Sequence, residues 1–435
     1  MSRIGYFDAS LRDDIGHQSN ACRHITRELR RRGIPVDIFA SVQLDKSLAD
    51  ELQATPWFQL RPYEQSWAFG GIDRFLQAWS FDQDLRTAWI AGRYPFLYFN
   101  SVLAPQFSAI GKWLATFPYG QTPLVAIEFG APSGASTAGW FRRFASQYRA
   151  AGRHFRALDS SRLLLFTFDA ASSAEYSELL GHSVAVLPPV HTAAGPLRLR
   201  KRAEDGAITL GFLGQQRAEK GFNLLPEIVL GLHTAGCNAR ILIHDGDPAE
   251  RPMTRQLTEL AKQYPHVEFL RGPANPPRWQ ELLDRTDVII LPYEPNRYRA
   301  SYSAVAVEAV GAGIPMVVPA GTTLESLANE YQGRATSFDV WTAGAVCDAI
   351  LRAVASFEEL SVAAFTGAGV WENRNGAKPF VDRLLAFAAN QSLPVSHSIP
   401  PVSLFKRGTR NALLTARACG KRVMHFFLGA DRDTP

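Results

Sequence analysis

The stretch ITLGFLGQQRAEKGFNLL, residues 208–225, decides the fold class. It begins as an apolar strand, turns at Gly214 into a short polar loop, and continues as an apolar helix pattern. Strands and helices then alternate as far as PMVVPAG at 315–321. A regular alternation of this kind predicts a parallel sheet covered by helices, as in Rossmann-like domains.

The first half of the chain shows the same alternation, with short runs rich in Val, Ile, Leu and Phe between helical patterns. These runs are RIGYF (3–7), PVDIF (35–39), FLYFN (96–100), PLVAIEF (123–129), LLLFTF (163–168) and VAVLPPV (184–190). We therefore predict an α/β fold with two Rossmann-like domains. The predicted segments are a first domain at 1–187, a linker at 188–206, a second domain at 207–375, a crossover helix at 376–390 and a basic tail at 391–435.

Length and composition agree with two globular domains. The chain has 435 residues, of which 46% are hydrophobic and 20% charged, so two cores are expected. Four widely spaced cysteines form no C-x-x-C pair and suggest neither a zinc cluster nor a disulfide framework. The sequence has no pattern typical of a secretion signal, a spanning helix, a P-loop or a G-x-S-x-G elbow. The usual markers of phosphoryl transfer and serine hydrolysis are therefore missing.

The polar loop after Gly214 carries Arg217 and Lys220 just ahead of a helix. Two cations and a helix N-terminus at the carboxyl edge of a parallel sheet are an arrangement that binds diphosphates. The alternative is that both side chains are ordinary solvated loop charges.

A second polar loop lies in DVIILPYEPNRYRASYSAVAVEAVGAGIPMVV, residues 287–318. Ser301 and Ser303 mark the start of a helix there, and Gly311 and Gly313 mark its end. Glu308 lies on this short helix among Ala and Val, where an unpaired carboxylate would be costly to bury. Either the ribose hydroxyls of a nucleotide or a neighbouring Lys or Arg would serve as its partner.

Together, the two segments resemble those of glycosyltransferase family 4 and its GT-B relatives. The family pattern FLGxxxxEKGFxxL, followed further along by DVxxLPxxxE...EAxxxGxPVV, is matched as FLGQQRAEKGFNLL and DVIILPYE...VEAVGAGIPMVV. The resemblance is clear over residues 207–320. It implies two domains that face each other across a cleft, and a nucleoside diphosphate sugar as co-substrate. It also implies retention of configuration at the transferred sugar, with neither a metal nor a further cofactor.

The resemblance also implies roles for individual residues of the second domain. Arg217 and Lys220 would hold the donor diphosphate during catalysis, and Glu308 would contact the ribose of the nucleotide. The remaining residues that would bind the donor, chiefly through backbone amides, are Gly214, Ser301, Tyr302 and Ser303.

One position departs from the family pattern. Ala300 stands where the family has the first glutamate of its E-x7-E motif, which would contact the transferred sugar. Either a different residue contacts the sugar, or the donor sugar differs in the hydroxyl that is normally recognised.

The first domain contributes candidates at the ends of its strands. Gly16 and His17 follow the first strand, and Glu128 ends the run PLVAIEF. We expect Gly16 to bind the donor, and His17 and Glu128 to act near the transferred sugar or the acceptor. A capping or solvated His17 and a structural ion pair at Glu128 are the alternatives.

Two further patterns have structural interpretations. Asp245-Gly246-Asp247 resembles a metal-binding D-x-D, but we interpret it as a turn at the end of a strand. The aromatic residues between Trp57 and Trp79 either line an acceptor groove or pack in the core. They include Phe58, Tyr63, Phe69 and Phe75.

The tail carries the whole net charge of +5. Residues 400–435 hold seven Lys or Arg and two Asp, whereas the rest of the chain is balanced. A basic amphipathic helix in this segment would contact an anionic membrane, and a flexible or partner-binding tail is the alternative. We expect a cytoplasmic protein, peripheral at the inner membrane face. No recognised nucleic-acid module accompanies the charge, so no nucleic-acid partner is expected.

These observations predict a metal-independent, retaining glycosyltransferase. It would move a sugar from a nucleoside diphosphate sugar to a saccharide or lipid-linked saccharide, in the synthesis of a surface polysaccharide or glycoconjugate. One alternative is a sugar-nucleotide epimerase with the GT-B fold. Another is a catalytically degenerate GT-B protein that binds a nucleotide or a partner.

Overall fold

The computed structural model describes residues 3–14, 16–62, 71–92, 94–118, 121–130, 139–156, 158–190, 195–247, 249 and 251–389. Within these ranges the chain forms two parallel sheets, each flanked by helices. The predicted basic tail, at 391–435, lies outside the described residues.

The first sheet is built from the first half of the chain. Its strands are β1 (Ile4–Asp8), β2 (Val36–Ser41), β3 (Ala54–Phe58), β4 (Phe96–Val102), β5 (Leu124–Phe129), β6 (Leu163–Thr167) and β7 (Ala185–Val186). They are parallel and ordered β3-β2-β1-β4-β5-β6-β7. The helices between them are α1 (His17–Arg31), α2 (Lys46–Leu52), α3 (Gly71–Gly92), α4 (Ala104–Leu114), α5 (Gly139–Phe155) and α6 (Ala170–Leu180).

The second sheet is built in the same way from the second half of the chain. Its strands are β8 (Ile208–Phe212), β9 (Ala239–Asp245), β10 (Val267–Arg271), β11 (Val288–Ile290), β12 (Met316–Pro319) and β13 (Thr336–Phe338). They are parallel and ordered β10-β9-β8-β11-β12-β13. The helices after β8 are α7 (Leu225–Thr234), α8 (Pro252–Gln263), α9 (Pro276–Asp284), α10 (Pro295–Tyr298), α11 (Ala304–Gly311), α12 (Thr323–Gln332), α13 (Ala343–Ala355) and α14 (Phe357–Arg374).

Burial explains why these runs became strands. Every residue of β4 and of β5 is buried, as expected for central strands of a parallel sheet that is covered on both faces. Strand β3 lies at the edge and exposes Thr55 and Pro56, and an edge position tolerates a proline because no ladder hydrogen bond is lost. In both sheets the strand order reverses next to the first strand, between β1 and β4 and between β8 and β11. Such a reversal opens a crevice at the carboxyl ends of the strands.

The last described helix, α15 (Ala377–Ala389), returns to the first domain. Phe380, Val381 and Leu384 are buried in the core that covers one face of the first sheet. Arg32, just after α1, pairs with Asp382 at 2.6 Å. The predicted crossover helix is therefore confirmed.

The predicted α/β class with two Rossmann-like sheets is confirmed, and the differences are local. The run VAVLPPV contributes only the short strand Ala185–Val186, because Pro188 and Pro189 have no N–H to donate to a ladder. The helix expected to begin near Gly221 begins at Leu225, after two short 3₁₀ turns. None of the helices in the described ranges is long and apolar enough to cross a membrane.

Candidate functional site

Three loops interlock at the carboxyl edge of the second sheet. Gly214, in the left-handed region at φ +110, follows β8, and its carbonyl accepts from the amide of Gly246 at 3.1 Å. Gly221 has φ +78, and a Cβ there would lie 2.2 Å from the carbonyl oxygen of Pro292. No other residue fits that approach, so glycine at 221 brings the loop after β8 against the loop after β11.

Lys220 lies between these two loops. Its Nζ is 5.1 Å from the ring centroid of Tyr293, a cation–π distance. Burial desolvates the ammonium and lowers the pKa of Lys220; nearby Arg217 lowers it too, whereas Tyr298 and Glu219 act in the opposite sense. Lys220 is half-buried, so it is not the ordinary solvated loop charge of the alternative interpretation.

Arg217 is more open than Lys220. Its side chain is 49% exposed and pairs with Glu219 at 3.0 Å. An exposed pair of this kind contributes little to stability. Arg217 can therefore exchange Glu219 for an anionic ligand at small energetic cost.

The loop before α11 is fixed at both of its ends. The carbonyl of Ser301 accepts from the hydroxyl of Thr323 at 2.7 Å. Ser303 caps α11, accepting from the amide of Ala306 at 3.4 Å. The first amides of a helix have no partner within the helix, so this end of α11 offers donors and a positive dipole to an anion.

Glu308 is buried on α11, with 7% of its surface exposed. Its Oε2 accepts from the indole Nε1 of Trp279 at 2.5 Å. Among the described residues it pairs with no Lys or Arg, and this indole is its side-chain partner. Burial raises the pKa of Glu308 to about 7, although the indole hydrogen bond acts in the opposite direction. Sequence analysis missed Trp279, because nothing in a single sequence links positions 279 and 308.

Ala300, at the departure from the family pattern, is completely buried. Its neighbours point instead toward the first domain. Arg299 forms an ion pair with Glu175 of α6, and the ring of Tyr302 lies 5.0 Å from that of Phe168. The loop that carries Ser301 and Ser303 is thus also the loop that contacts the first domain.

His17 faces this edge from the first domain. Gly16, at φ +100, leads into α1, and His17 is the first residue of the helix. His17 is exposed in the structure. Partial desolvation by the surrounding protein lowers the pKa of His17, and the positive charges of Lys220 and Arg217 lower it further. His17 is therefore a neutral imidazole near pH 7, within electrostatic range of two cations that belong to the other domain.

Glu128 lies in a buried network at the carboxyl edge of the first sheet. The phenol of Tyr98 is 2.6 Å from Oε2 of Glu128 and 3.2 Å from Oδ1 of Asn100. Asn100 donates to Asp8 at 2.8 Å. Asp8 also accepts from the backbone amides of Ser10 and Leu11, at 2.8 and 3.1 Å. Tyr98, Asn100 and Asp8 were not among the sequence candidates, and no ion pair of the kind considered for Glu128 is found among the described residues.

The hydrogen-bond directions in this network depend on one proton. A phenol has a single hydrogen, so Tyr98 can donate to Asn100 only if Glu128 is protonated and donates to Tyr98. Burial raises the pKa of Glu128 to about 8; Tyr98 acts against this shift, and Asp8 adds to it. The pKa of Asp8 rises, also by burial, only to about 6. Burial thus raises the pKa of Glu128 further than that of Asp8, so Glu128 is the carboxyl group of this network that takes up a proton first.

Backbone strain accompanies the network. Ser101, next to Asn100, is buried and has φ +52, in the left-handed region that non-glycine residues rarely adopt. Strain of this kind is retained where the surrounding structure fixes it, often at functional sites. A serine gives no sequence signal of such a conformation.

The segment Asp245-Gly246-Asp247 forms a turn at the end of β9. Asp245 is fully buried, accepts from the amides of Gln216 and Asp247 at 3.1 Å each, and pairs with Arg251. Its carboxylate is thus occupied by structural partners. Within the described part of the chain, no group of three or more His, Cys, Asp and Glu residues is placed to hold a metal ion.

The described aromatic residues between Trp57 and Trp79 differ in their surroundings. Phe58 is a core residue with no exposed surface, whereas Phe75 is 66% exposed. Trp57 is half-buried and donates to the carbonyl of Asp84 at 2.8 Å. Tyr63 and Phe69 lie outside the described residues.

The chain has the fold of GT-B glycosyltransferase structures. It is similar to HepE of Anabaena in complex with UDP-glucose, with a TM-score of 0.60 and 13% identity, covering 90% of this chain and 100% of that one. It is also similar to WaaG, a glycosyltransferase involved in lipopolysaccharide biosynthesis. The TM-score is 0.57 and the identity 12%, covering 89% of this chain and 99% of that one. A third similar structure is that of a provisionally assigned UDP-N-acetylglucosamine 2-epimerase of Listeria monocytogenes. Its TM-score is 0.53 and its identity 9%, covering 91% of this chain and 99% of that one. No protein-family model and no curated protein matches the sequence.

We expect Glu128→Gln to flatten the pH dependence of stability. The folded protein keeps on Glu128 a proton that the unfolded chain releases above an ordinary pKa of 4.5, so wild-type stability should fall as pH rises toward about 8. One proton corresponds to roughly 1 kcal/mol of unfolding free energy per pH unit. Urea unfolding between about pH 6 and about pH 7.5 measures this slope.

Glutamine imitates the protonated acid, so the variant should show a shallower slope than the wild type. Glu259→Gln, at a surface glutamate whose side chain is 70% exposed, is the control and should keep the wild-type slope. A wild-type slope in Glu128→Gln would contradict the protonated network.

Proposed function

We propose that this protein is a retaining, metal-independent glycosyltransferase. It takes a sugar from a nucleoside diphosphate sugar and transfers it to a saccharide or lipid-linked saccharide acceptor. The observation that carries the proposal is the cationic edge of the second domain. The loop from Gly214 to Gly221 carries Arg217 and Lys220, and a Cβ on Gly214 would lie 3.5 Å from Val305 in the first turn of α11. The positive charges of both residues lower the pKa of His17, in the first domain, in addition to desolvation.

This edge suits a leaving diphosphate. The donor loses its C1–O bond to the β-phosphate while C1 forms a bond to the acceptor oxygen, and the acceptor proton passes to a phosphate oxygen. Negative charge therefore grows on the diphosphate, where two cations and helix amides would stabilise it. Retention agrees with the burial of Glu128, because its raised pKa disfavours the ionised form that a general base would need.

In this proposal, residues of the first domain contact the transferred sugar. Ala300 is enclosed and offers no polar atom beyond its backbone. Gly16, His17 and Glu128 lie at the opposing strand edge, and the neutral imidazole of His17 can accept or donate one hydrogen bond. The sugar would thus be held between the domains, with its diphosphate on the second one.

A second candidate is a sugar-nucleotide epimerase, which the likeness to the Listeria protein favours.

A donor assay separates the glycosyltransferase, the epimerase and a protein that only binds the nucleotide sugar. UDP-, GDP- and ADP-glucose are each incubated with the protein and an acceptor panel of mono- and disaccharides, and the products are analysed by NMR. We expect a glycoside with the anomeric configuration of the donor. An isomerised donor would establish the epimerase, an inverted glycoside would contradict retention, and an unchanged donor would favour a binding protein.

We expect Lys220→Ala to lower turnover about a hundredfold, because one preorganised charge on the leaving group is lost. Initial rates with the active donor measure the change, and thermal unfolding shows whether the fold is kept. Lys262→Ala is the matched control, since Lys262 is a surface lysine that is 67% exposed and pairs with Glu259. Wild-type turnover in Lys220→Ala would remove Lys220 from the diphosphate site.

The basic tail is proposed to bring the enzyme to an anionic membrane surface, as surface polysaccharide synthesis on a lipid-linked acceptor at the inner membrane would require. Seven Lys and Arg within 400–435 provide the attraction. We expect removal of residues 400–435 to abolish co-sedimentation with phosphatidylglycerol vesicles. Phosphatidylcholine vesicles are the control, and unchanged binding to anionic vesicles would contradict the proposal.

A further inference from the structure

Trp279 is held firmly at the carboxyl edge of the second sheet. It lies in the first turn of α9, which two prolines open and which Asn275 caps by accepting from the amide of Arg278 at 3.1 Å. The backbone amide of Trp279 itself donates to the carbonyl of Asn275 at 2.8 Å. The backbone that carries the indole is therefore held in place by the first turn of α9, which follows β10 in the chain.

The indole occupies one of the two carboxylate oxygens of Glu308. Nε1 of Trp279 lies 2.5 Å from Oε2, and among the described residues no donor reaches Oε1. A buried carboxylate needs more than one hydrogen bond to offset the loss of water. Oε1 therefore remains available to a ligand that brings a donor.

A second orphaned atom marks the same region. His244, at the end of β9, is 2% exposed, and its ring lies 6.3 Å from that of Trp279. Its Nε2 is 2.9 Å from the carbonyl of Gly272, so Nε2 carries the proton and Nδ1 is an acceptor. Nδ1 is buried and has no hydrogen-bond partner among the described residues. Buried acceptors are rarely left unpaired, so this atom can accept a hydrogen bond from a group that brings a donor.

We propose that Trp279 is a positioning residue that holds the carboxylate of Glu308 so that Oε1 is aimed at a ribose hydroxyl of the donor nucleotide. The inference rests on the proposed function and on the ribose contact that the resemblance implies for Glu308, and it adds the residue that positions this carboxylate. His244, Trp279 and Glu308 come from three different elements, and none of them belongs to the cationic edge that would hold the diphosphate.

The physical reason is preorganisation. An indole N–H bound to Oε2 fixes the plane of the carboxylate. A ribose hydroxyl can then donate to Oε1 without the loss of side-chain entropy that ordering Glu308 would otherwise cost. Without the indole, the buried carboxylate loses its donor among the described residues. Glu308 would then turn away or remain protonated, and the ribose contact would weaken.

Trp279→Phe keeps a ring of similar shape and removes the N–H. UDP, GDP and ADP are titrated against the wild type by calorimetry, and the tightest binder is compared with its 2′,3′-dideoxy counterpart. We expect the wild type to favour the ribonucleotide by about tenfold, the usual value of a hydrogen bond to a charged group. In Trp279→Phe, affinity for the ribonucleotide should fall by about the same factor, and affinity for the dideoxynucleotide should not change.

Two further measurements separate positioning from packing. In a Glu308→Ala background, adding Trp279→Phe should cause no further loss of ribose discrimination, because the two residues act as one unit. Trp279→Leu, which also lacks the donor, should show the same lost discrimination and covers the case in which the phenylalanine variant folds poorly. Trp371→Phe is the control, since Trp371 is another buried tryptophan of the second domain, 1% exposed, and should keep wild-type discrimination.

The outcomes distinguish this inference from the function on which it rests. Binding of no ribonucleotide by the wild type would contradict the proposed function and this inference with it. Ribonucleotide binding with discrimination intact in Trp279→Phe would overturn the positioning role alone. An equal loss for both nucleotides would also overturn it, because it would assign Trp279 to packing.

Discussion

The packing of helix α15 against the first sheet is the interaction on which the arrangement of the site depends. This helix follows the whole second domain in the chain, yet its Phe380 lies in the core of the first domain. Phe380 packs edge-on against Tyr98 at 6.0 Å and lies 6.3 Å from Phe168, which in turn lies 5.0 Å from Tyr302. A continuous row of aromatic rings thus links the crossover helix, the Glu128 network and the loop of the second domain that carries Ser301 and Ser303.

The charges at the two strand edges are unequal. On the first sheet, two carboxyl groups share a network in which burial raises the pKa of both, and Asp8 accepts from several donors. On the second sheet, the loop that carries Arg217 and Lys220 lies against the first turn of α11. Positive charge is therefore concentrated at the second sheet and carboxyl groups at the first.

Periodicity predicted both sheets and the elements around the second site, because helices and strands of this fold alternate with distinct patterns. The same reasoning placed Lys220 and Glu128 at the carboxyl ends of strands, which share one side of a parallel sheet, and Glu308 on a short helix. It could not find Trp279 or Asn100. Trp279 meets a partner 29 positions away and Asn100 a partner 92 positions away, and a single sequence carries no signal of such pairs. The strained backbone of Ser101 could not be predicted either, because serine, unlike glycine, does not indicate a left-handed conformation.

The burial of Ala300 limits which side chains can stand at this position. A glutamate side chain at 300 would place a charge and four additional heavy-atom positions beyond Cβ in space that is already filled, because Ala300 has no exposed surface. A glutamate at this position would therefore require its surroundings to move. Two neighbours of Ala300, Arg299 and Tyr302, contact the first domain. The packing around position 300 and the contact between the domains are thus coupled through one short loop.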